Sequence, residues 1–341
     1  MKEPNKHYVD TSKVSIREIN KSVAKQMIVK YHYSHAWTMC RYALGVYYNG
    51  DDGFFGSEKD GLSLYSPNWN KGDFWEYSVT VDDKQFSTTM VVSINDDGSD
   101  YYVGAGNLDD AKRHAVLNYN PALGRVQMSD FSVYENNIPQ NIANFPLEMD
   151  KSWEFSMYGE KFRASVIDIT ESEAEINANA DSGAFMVYTF DKNARWFNNL
   201  EYTNSNGELV LIMNLGNYGS GYTGNSYFCR GGDLFDEEFI GPDFGVYDTQ
   251  FANGGHERYG PWNYIVYYLE ADIGSSGSGE LILRDHEGTE VLIETFSPGT
   301  NQHIMGSVSG SSGNWTLEIS LSGNADVRAR IAGAIQYTYS V

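Results

Sequence analysis

The sequence predicts a mainly β protein: an acidic antiparallel β domain and a C-terminal β-sandwich or jelly roll, preceded by a short strand–helix–strand element. Two observations predict this class. The chain of 341 residues is rich in tyrosine (25) and glycine (34) and poor in proline (8), a composition typical of short strands joined by tight turns. From Phe74 to the C-terminus, runs of alternating apolar and polar residues recur between clusters of Gly, Ser and Asn, as expected for half-buried strands.

Net charge changes sign along the chain. Residues 1–50 hold eight Lys and Arg against three Asp and Glu, whereas the other 291 residues hold 16 basic and 43 acidic side chains. One folded domain rarely divides its charge in this way, so the sequence predicts units with different partners. The predicted divisions are a basic element at 1–48, a linker at 49–73, an acidic β-rich domain at 74–255 and a C-terminal sandwich at 256–341.

The basic element begins with a predicted strand at 13–19, where apolar and polar residues alternate. An amphipathic helix of about three turns follows, because Val23, Met27 and Tyr31 recur every fourth residue. The apolar run 40–48 then predicts a second strand. The segment 49–73 is rich in Gly, Asp, Ser and Asn, which favours a linker.

The acidic part is predicted to consist mostly of strands. A helix is expected at 107–119, where Asn107 can cap the first turn and Asn120-Pro121 ends the pattern. The predicted strands are 74–81, 86–94, 100–106, 125–133, 153–158, 162–169, 173–180, 184–190 and 208–215.

Residues 216–260 hold eleven glycines and are predicted to form surface loops. The acidic residues in this stretch favour a solvated acidic loop (Asp233, Asp236, Glu237, Glu238, Asp243). The sandwich is then predicted from strands at 262–272, 279–285, 289–296, 313–321 and 326–341, with His286-Glu287-Gly288 as a hairpin turn.

Candidate ligand-binding residues are aromatic. Tyr218, Tyr222 and Tyr227 lie in the glycine-rich stretch and are predicted to contact a ligand in its loops. Trp262 and Trp315 could stack on sugar rings, although tryptophans at strand positions are more often core residues.

Weak calcium candidates are Asp96, Asp97 and Asp100, because hard cations need several oxygens in a flexible turn. A plain hairpin turn is the stronger interpretation of the same residues, and no other cofactor is expected.

Charge and hydropathy limit the partners. A net charge of −22 argues against nucleic acid or an anionic membrane as partner of the acidic part, so nucleic acid could bind only through the basic N-terminal segment. No apolar run is long enough to span a membrane. The first residues, MKEPNKHYVD, lack an apolar core, so no signal peptide is expected, although the acidic body looks extracellular. Cys40 and Cys229 form no ligand cluster; two buried thiols are favoured over a bridge.

The N-terminal runs KYHYSH and CRYALGV (30–35 and 40–46) resemble phage Mom-type DNA adenine-modification proteins. The resemblance implies an acetyltransferase-like α/β fold, modification of adenine in DNA, and active-site roles for His32, Tyr33 and Ser34. It covers residues 13–48, and no counterpart of the rest of that family is expected after Asn49.

Three runs of the acidic part resemble predicted surface lipoproteins of planktonic marine archaea: SPNWNKGDFWEYSVTV, NPALGRVQMSDFSV and FPLEMDKSWEFSMYG. Together with the first resemblance, this suggests a fusion whose joint lies between Asn49 and Ser66. No complete catalytic set is found in 74–341. The leading hypothesis is therefore a non-catalytic extracellular or surface protein that binds a ligand, with carbohydrate as the candidate. The alternative is a DNA adenine-modification enzyme or an inactive fragment of one.

Overall fold

The chain is described from a computed structural model that covers residues 14–18, 44–48, 62–81, 84–95, 98–241, 246–254 and 261–341. Within these ranges it is mainly β, with one helix, and every paired strand is antiparallel, as the sequence predicts. Strands β1 (Val14–Glu18) and β2 (Leu44–Tyr48) pair with each other inside the predicted strands. The amphipathic helix predicted between them lies outside the described residues.

The first body is a long, curved meander. Its sheet runs in the order β11-β12-β13-β14-β15-β16-β4-β5-β6, and β7, β8 and β9 continue from β6. The two ends approach each other, because Gln140 Oε1 accepts a hydrogen bond of 2.6 Å from the Ser156 amide. The strands are β3 (Ser63–Leu64), β4 (Phe74–Val81), β5 (Lys84–Ile94), β6 (Asp100–Ala105), β7 (Gly124–Gln127), β8 (Val133–Glu135), β9 (Ile138–Gln140), β10 (Leu147–Glu148), β11 (Ser152–Met157), β12 (Glu160–Ile169), β13 (Glu173–Ala180), β14 (Phe185–Asp191), β15 (Trp196–Thr203) and β16 (Leu209–Gly219).

The second body is a β-sandwich. One layer is β17-β24-β19-β22, which joins the large sheet at a single residue pair, Tyr227 with Ala105; the other is β18-β23-β20-β21. Side chains of both layers form one buried apolar cluster, which includes Leu269 and Val327 of the first layer and Trp315 of the second. The strands are β17 (Asn225–Ile240), β18 (Val246–Asn253), β19 (Tyr264–Ile273), β20 (Ser278–Arg284), β21 (Glu290–Phe296), β22 (Thr300–Ser309), β23 (Gly313–Ser322) and β24 (Ala325–Ser340).

The glycine-rich stretch is the main departure from the predicted elements. Residues 216–260 were expected to be loops, but β17 and β18 lie inside them. Glycine here permits close packing: a Cβ on Gly231 would lie 2.2 Å from the carbonyl oxygen of Ala115, and one on Gly232 would lie 2.6 Å from the Trp262 ring. Four residues of the predicted acidic loop (Asp233, Asp236, Glu237 and Glu238) are likewise part of β17, and Asp243 lies outside the described residues. Asp236 accepts bonds of 2.9 and 3.0 Å from Arg328.

A second departure is the predicted strand 125–133, which is broken into β7 and β8. The Phe131 amide donates to the carbonyl of Gln127, and Asp130 Oδ1 accepts from the Ser132 amide. Ser and Asp favour such turns because their side chains bond to nearby backbone. The apolar residues on either side of the turn fit the two-residue period of a strand, but the hydrogen bonds of the turn interrupt the strand.

Helix α1 (Leu108–Leu117) joins the two bodies. Its N-cap is Asn107, as predicted, whose Oδ1 accepts from the Asp110 amide at 2.8 Å; the helix ends at Asn118, in the left-handed conformation. Ala111 and Ala115 form a buried cluster with the outer face of the sandwich, together with Cys229, Val266 and Ala332.

An ion pair closes the first body near its start. Asp73 is fully buried, and its Oδ2 accepts from Arg195 Nη1 at 2.8 Å and from the Asn70 amide at 2.6 Å. Next to it, the buried Trp69 indole packs edge-on against Trp196 at 4.8 Å and donates to the Arg195 carbonyl at 2.9 Å. Leu64, Trp69 and Asp73, which belong to the segment predicted as a linker, are therefore buried in the body.

Arg195→Met should lower the free energy of unfolding by about 3 kcal/mol, because it leaves the Asp73 carboxylate buried and unpaired. Urea titration followed by tryptophan fluorescence measures the change. Arg163→Met is the matched control, because Arg163 pairs with Asp181 at the surface, where both side chains are mostly exposed. This substitution should lower the free energy of unfolding by no more than about 0.5 kcal/mol. Equal costs for the two variants would contradict the role of the buried pair.

His114 lies near the end of α1 and is buried. Its Nδ1 accepts from the Asn120 amide at 3.3 Å, and its ring meets Tyr119 edge-on at 5.2 Å. Burial lowers the pKa of His114 from 6.5 to about 4, because the apolar surroundings disfavour the charged imidazolium.

This shift predicts acid destabilisation. The unfolded chain takes up a proton at His114 near pH 6.5, and the folded chain does so only near pH 4. The stability that neutral His114 contributes to the folded state is therefore complete above pH 6.5 and is lost as the pH falls toward 4. The total loss is about 3 kcal/mol. Urea titrations of wild type and His114→Gln across this range measure it: the variant should lose less stability between pH 6.5 and 4, and parallel curves would contradict the assignment.

Candidate functional site

A cavity of about 150 Å³ opens in the first body between three segments that are distant in sequence. One is the chain that leaves β3, the second is the turn between β7 and β8, and the third is the loop that leads into β10. The lining residues are Tyr65, Ser66, Ser129, Asp130, Asn141, Asn144, Phe145 and Pro146.

Short-range pairing holds the three segments together. Leu64 of β3 pairs with Leu147 of β10, and both side chains are buried in the core. Ser63 Oγ donates to Glu148 Oε1 at 3.1 Å, which secures the same pair of strands. Lys151 Nζ donates to the Pro146 carbonyl at 2.9 Å. The cavity is thus supported by strand pairing on one side and by a side-chain contact to its loop on the other.

The cavity has one apolar wall. The Phe145 ring packs edge-on against Phe131 at 6.0 Å and against Phe190 at 5.0 Å, and Pro146 follows it. At the opposite segment, Tyr65 is 73% exposed. Because this side chain is already exposed to solvent, Tyr65 can contact a ligand without prior rearrangement.

The remaining lining is polar and carries little charge. Asn141 Oδ1 is buried and has no hydrogen-bond partner among the described residues, whereas buried polar atoms normally have one. Asn144, Ser66 and Ser129 add amide and hydroxyl groups. Among the described residues, Asp130 is the one charged side chain that lines the cavity. An aromatic ring, amides and hydroxyls around a small concavity can bind a polar ligand with an apolar face, such as a sugar ring.

The predicted loop tyrosines lie elsewhere. Tyr218 is 43% exposed on β16, and Tyr227 is half-buried on β17. The Tyr222 hydroxyl donates to the Gly106 carbonyl at 3.1 Å, so that side chain has a structural role. None of the three lines the cavity.

The structure differs from the predicted tryptophan platform, because both tryptophan rings are buried core residues. Trp315 is fully buried, stacks with Phe251 at 6.3 Å and donates to the Ser311 carbonyl at 2.9 Å. Trp262 is buried against Gly232 and Gly333. Neither ring presents a face to a ligand, since each fills space between layers of the sandwich.

The other predicted site residues are mostly beyond the described ranges. His32, Tyr33 and Ser34 lie outside them, as do Cys40, Asp96 and Asp97. Asp100 Oδ2 lies 3.5 Å from Arg125 Nε, and its amide donates to Asn95 Oδ1. No group of three His, Cys, Asp or Glu side chains in the described part of the chain is placed to hold a metal ion. Calcium at the turn stays a prediction.

Cys229 is a free, buried thiol. Desolvation raises its pKa to about 12, so the reactive thiolate is scarce at neutral pH. In the ranges where helices can be assessed, none is long and apolar enough to cross a bilayer.

Comparison with solved structures finds distant likenesses. An arabinoxylan arabinofuranohydrolase of glycoside hydrolase family 43 from Bacillus subtilis is 12% identical, with a TM-score of 0.17 over 73% of this chain and 66% of the other. The insecticidal delta-endotoxin Cry8Ea1 from Bacillus thuringiensis is 9% identical, with a TM-score of 0.19 over 80% of this chain and 54% of the other. The chain thus spans less than two thirds of each.

SGBP-B from the mixed-linkage glucan utilization locus of Bacteroides ovatus, in complex with a mixed-linkage heptasaccharide, is 8% identical, with a TM-score of 0.19 over 81% of this chain and 97% of the other. TM-scores this low carry no argument about fold or function. No curated protein sequence matches the chain.

One family does match part of the sequence. The match covers residues 13–67, which confirms the predicted resemblance of the N-terminal segment and extends it beyond Asn49. Its last residues, Leu62 to Pro67, include β3 and two residues of the cavity. The N-terminal segment of this chain, residues 13–67, is similar to the Mom protein family.

Proposed function

We propose that the chain is a non-catalytic binding protein that holds a neutral sugar in the cavity between β3, the β7–β8 turn and the loop before β10. The observation that carries this proposal is the pairing of the exposed Tyr65 ring with the unpartnered Asn141 oxygen around one cavity. Sugar rings have apolar C–H faces that stack on aromatic rings and hydroxyl edges that bond to amides and hydroxyls.

Charge favours a neutral ligand. Asp130 is a carboxylate, and no Lys, Arg or His of the described part of the chain lines the cavity. An anionic ligand such as a phosphate or a uronic acid would approach Asp130, and a whole chain of charge −22, without a compensating cation. A hydroxyl of a neutral sugar can instead donate to Asp130 and to Asn141 Oδ1.

Size favours a single ring. Pockets for drug-sized ligands have volumes of about 300–1,000 Å³, whereas this cavity has about 150 Å³. The proposed ligand is therefore one sugar unit at a chain end or branch, with the rest of the glycan outside.

Tyr65→Ala should weaken glycan binding at least tenfold, because it removes the exposed ring from the cavity. Glycan-array screening of the full chain identifies the ligand, and calorimetry with that glycan measures the affinity. Tyr218→Ala is the matched control, since it removes another exposed tyrosine, outside the cavity. Both substitutions are at exposed positions and should change stability by about 0.5 kcal/mol or less.

The same pair of variants separates the cavity from the predicted loop site. Loss of binding in Tyr218→Ala with normal binding in Tyr65→Ala would place the ligand at the loop tyrosines and reject the cavity. An array with no bound glycan would reject the proposed function.

A second function has its own support. The match of residues 13–67 to the Mom protein family favours DNA adenine modification carried by the N-terminal segment, with His32, Tyr33 and Ser34 in the active site. Nucleic acid would contact the N-terminal part of the chain, since residues 1–50 carry a net positive charge, rather than the acidic body.

His32→Ala should abolish this activity if the segment is active. Nucleoside mass spectrometry of DNA from cells that express the full chain detects modified adenine. His286→Ala is the control, since His286 lies at a hairpin turn of the sandwich, and it should leave the mark unchanged. Unmodified adenine in cells that express the wild-type chain would reject this second function.

A further inference from the structure

The outer face of the first body carries a row of neutral hydrogen-bonding side chains that are register partners on five strands. Strand register sets Thr189 of β14 opposite Asn199 of β15, Asn199 opposite Asn214 of β16, Asn214 opposite Ser78 of β4, and Ser78 opposite Ser87 of β5. We call these five residues the polar row. Adjacent strands lie about 4.8 Å apart, so the row is about 19 Å long.

Alternation along each strand places the polar row on the side away from the core. Tyr188, Leu200 and Met213, which precede or follow row residues, are buried in the core of the body. Successive side chains of a strand point to opposite faces, so the row faces outward. Asn214 and Ser87 are exposed, and the others are half-buried.

Neighbouring side chains fix part of the row. Asn199 Nδ2 donates to Thr189 Oγ1 at 3.2 Å, and Gln85 Nε2 donates to Ser78 Oγ at 2.8 Å. Each amide and hydroxyl can make further hydrogen bonds, because an amide has two donor hydrogens and an acceptor oxygen and a hydroxyl is both donor and acceptor. The groups are therefore held in place and can still bond to a ligand.

An apolar surface lies beside the polar row on the same face. Val187 and Phe185 precede Thr189 by two and four residues on β14, and the Phe185 ring is 40% exposed. Ile212 precedes Asn214 by two residues on β16. Glu201 stands between Val187 and Ile212 in the register. The face thus combines a line of hydrogen-bonding groups with separate apolar side chains on either side of Glu201.

We propose that this face binds an extended, neutral polysaccharide along the polar row. A sugar polymer presents hydroxyl edges and apolar C–H faces in repeating order, which matches the polar row and the apolar side chains beside it. Glu201 and Glu175, which is opposite Thr189, would repel an anionic polymer. This surface rests on the proposed function for the class of ligand only; it is separate from the cavity, and would hold the interior of a chain rather than one end.

Co-sedimentation with insoluble neutral polysaccharides tests the proposal. The full chain is mixed with cellulose, chitin and mannan, and the bound fraction is measured against concentration. We expect binding to at least one of them. Asn199→Ala/Asn214→Ala should raise the apparent Kd at least tenfold. The matched control is Asn193→Ala/Asn206→Ala, which removes two exposed amides at turns and should bind as wild type does.

Asn214→Ala alone serves as the test if the double variant fails to fold, because Asn214 is exposed. Binding should persist in 0.5 M NaCl, since no ion pair is involved; about 0.5 M salt would strongly weaken a charge-driven contact. Sedimentation on none of the three polymers, equal affinity of the row variant and the wild type, or preference for alginate would overturn the proposal.

Tyr65→Ala separates this surface from the cavity. If both proposals hold, Tyr65→Ala loses the sugar found on the array but keeps polysaccharide binding, and the row variant shows the reverse. Loss of polysaccharide binding in Tyr65→Ala, with no effect of the row variant, would assign all binding to the cavity and overturn the surface. Self-association of the wild-type chain, lost in the row variant and without polysaccharide binding, would make the face a contact between copies and also overturn it.

Discussion

Burial of tryptophan at the start of the first body is the interaction on which the rest of its structure depends. Trp69 and Trp75 lie together at 5.0 Å, and their indole nitrogens donate to the carbonyls of Arg195 and Ala194. These contacts connect the beginning of the body to a turn about 120 residues later. The two bonds and the Asp73–Arg195 pair all reach the turn between β14 and β15, so the start of the body is held in place by that one turn. The core is therefore assembled from residues that are far apart in sequence, and it depends on a few large aromatic side chains.

The two bodies are joined less by extended pairing than by a close fit around one helix. Only Tyr227 and Ala105 pair across the sheets. The alanines of α1 lie against β17, where glycine allows the helix backbone to approach, and an added methyl group at Gly231 would collide with a helix carbonyl. Small residues on both sides of a contact let backbones come close and increase the van der Waals contact area. Tyr102 of β6 stacks on Tyr339 of β24 at 4.9 Å, so the C-terminal strand adds a second connection.

Much of the fold was predictable because alternation along a strand reports one-sided burial. The strands from β11 to β14, the hairpin of β4 and β5, and helix α1 with its Asn107 cap follow the sequence pattern. The failures have physical causes: glycine in β17 reflects close packing rather than freedom of the backbone, and Asp130 turns the chain inside an apolar pattern. The cavity was not predictable, because its walls come from three segments brought together by the pairing of β3 with β10. The polar row depends on register across five strands, which no single segment encodes.

The position of β3 has a consequence for how the gene could have been assembled. Leu64 is part of the buried core, and Tyr65 and Ser66 form one wall of the cavity, yet all three belong to the region that matches the Mom protein family. A recombination event that exchanged everything up to residue 67 would replace a piece of the interior, with loss of the Leu64–Leu147 pairing. An exchange that left the interior intact would have its breakpoint ahead of Leu62. The first body therefore includes the last residues of the segment that matches the Mom protein family. A first body expressed alone would need an N-terminus upstream of β3.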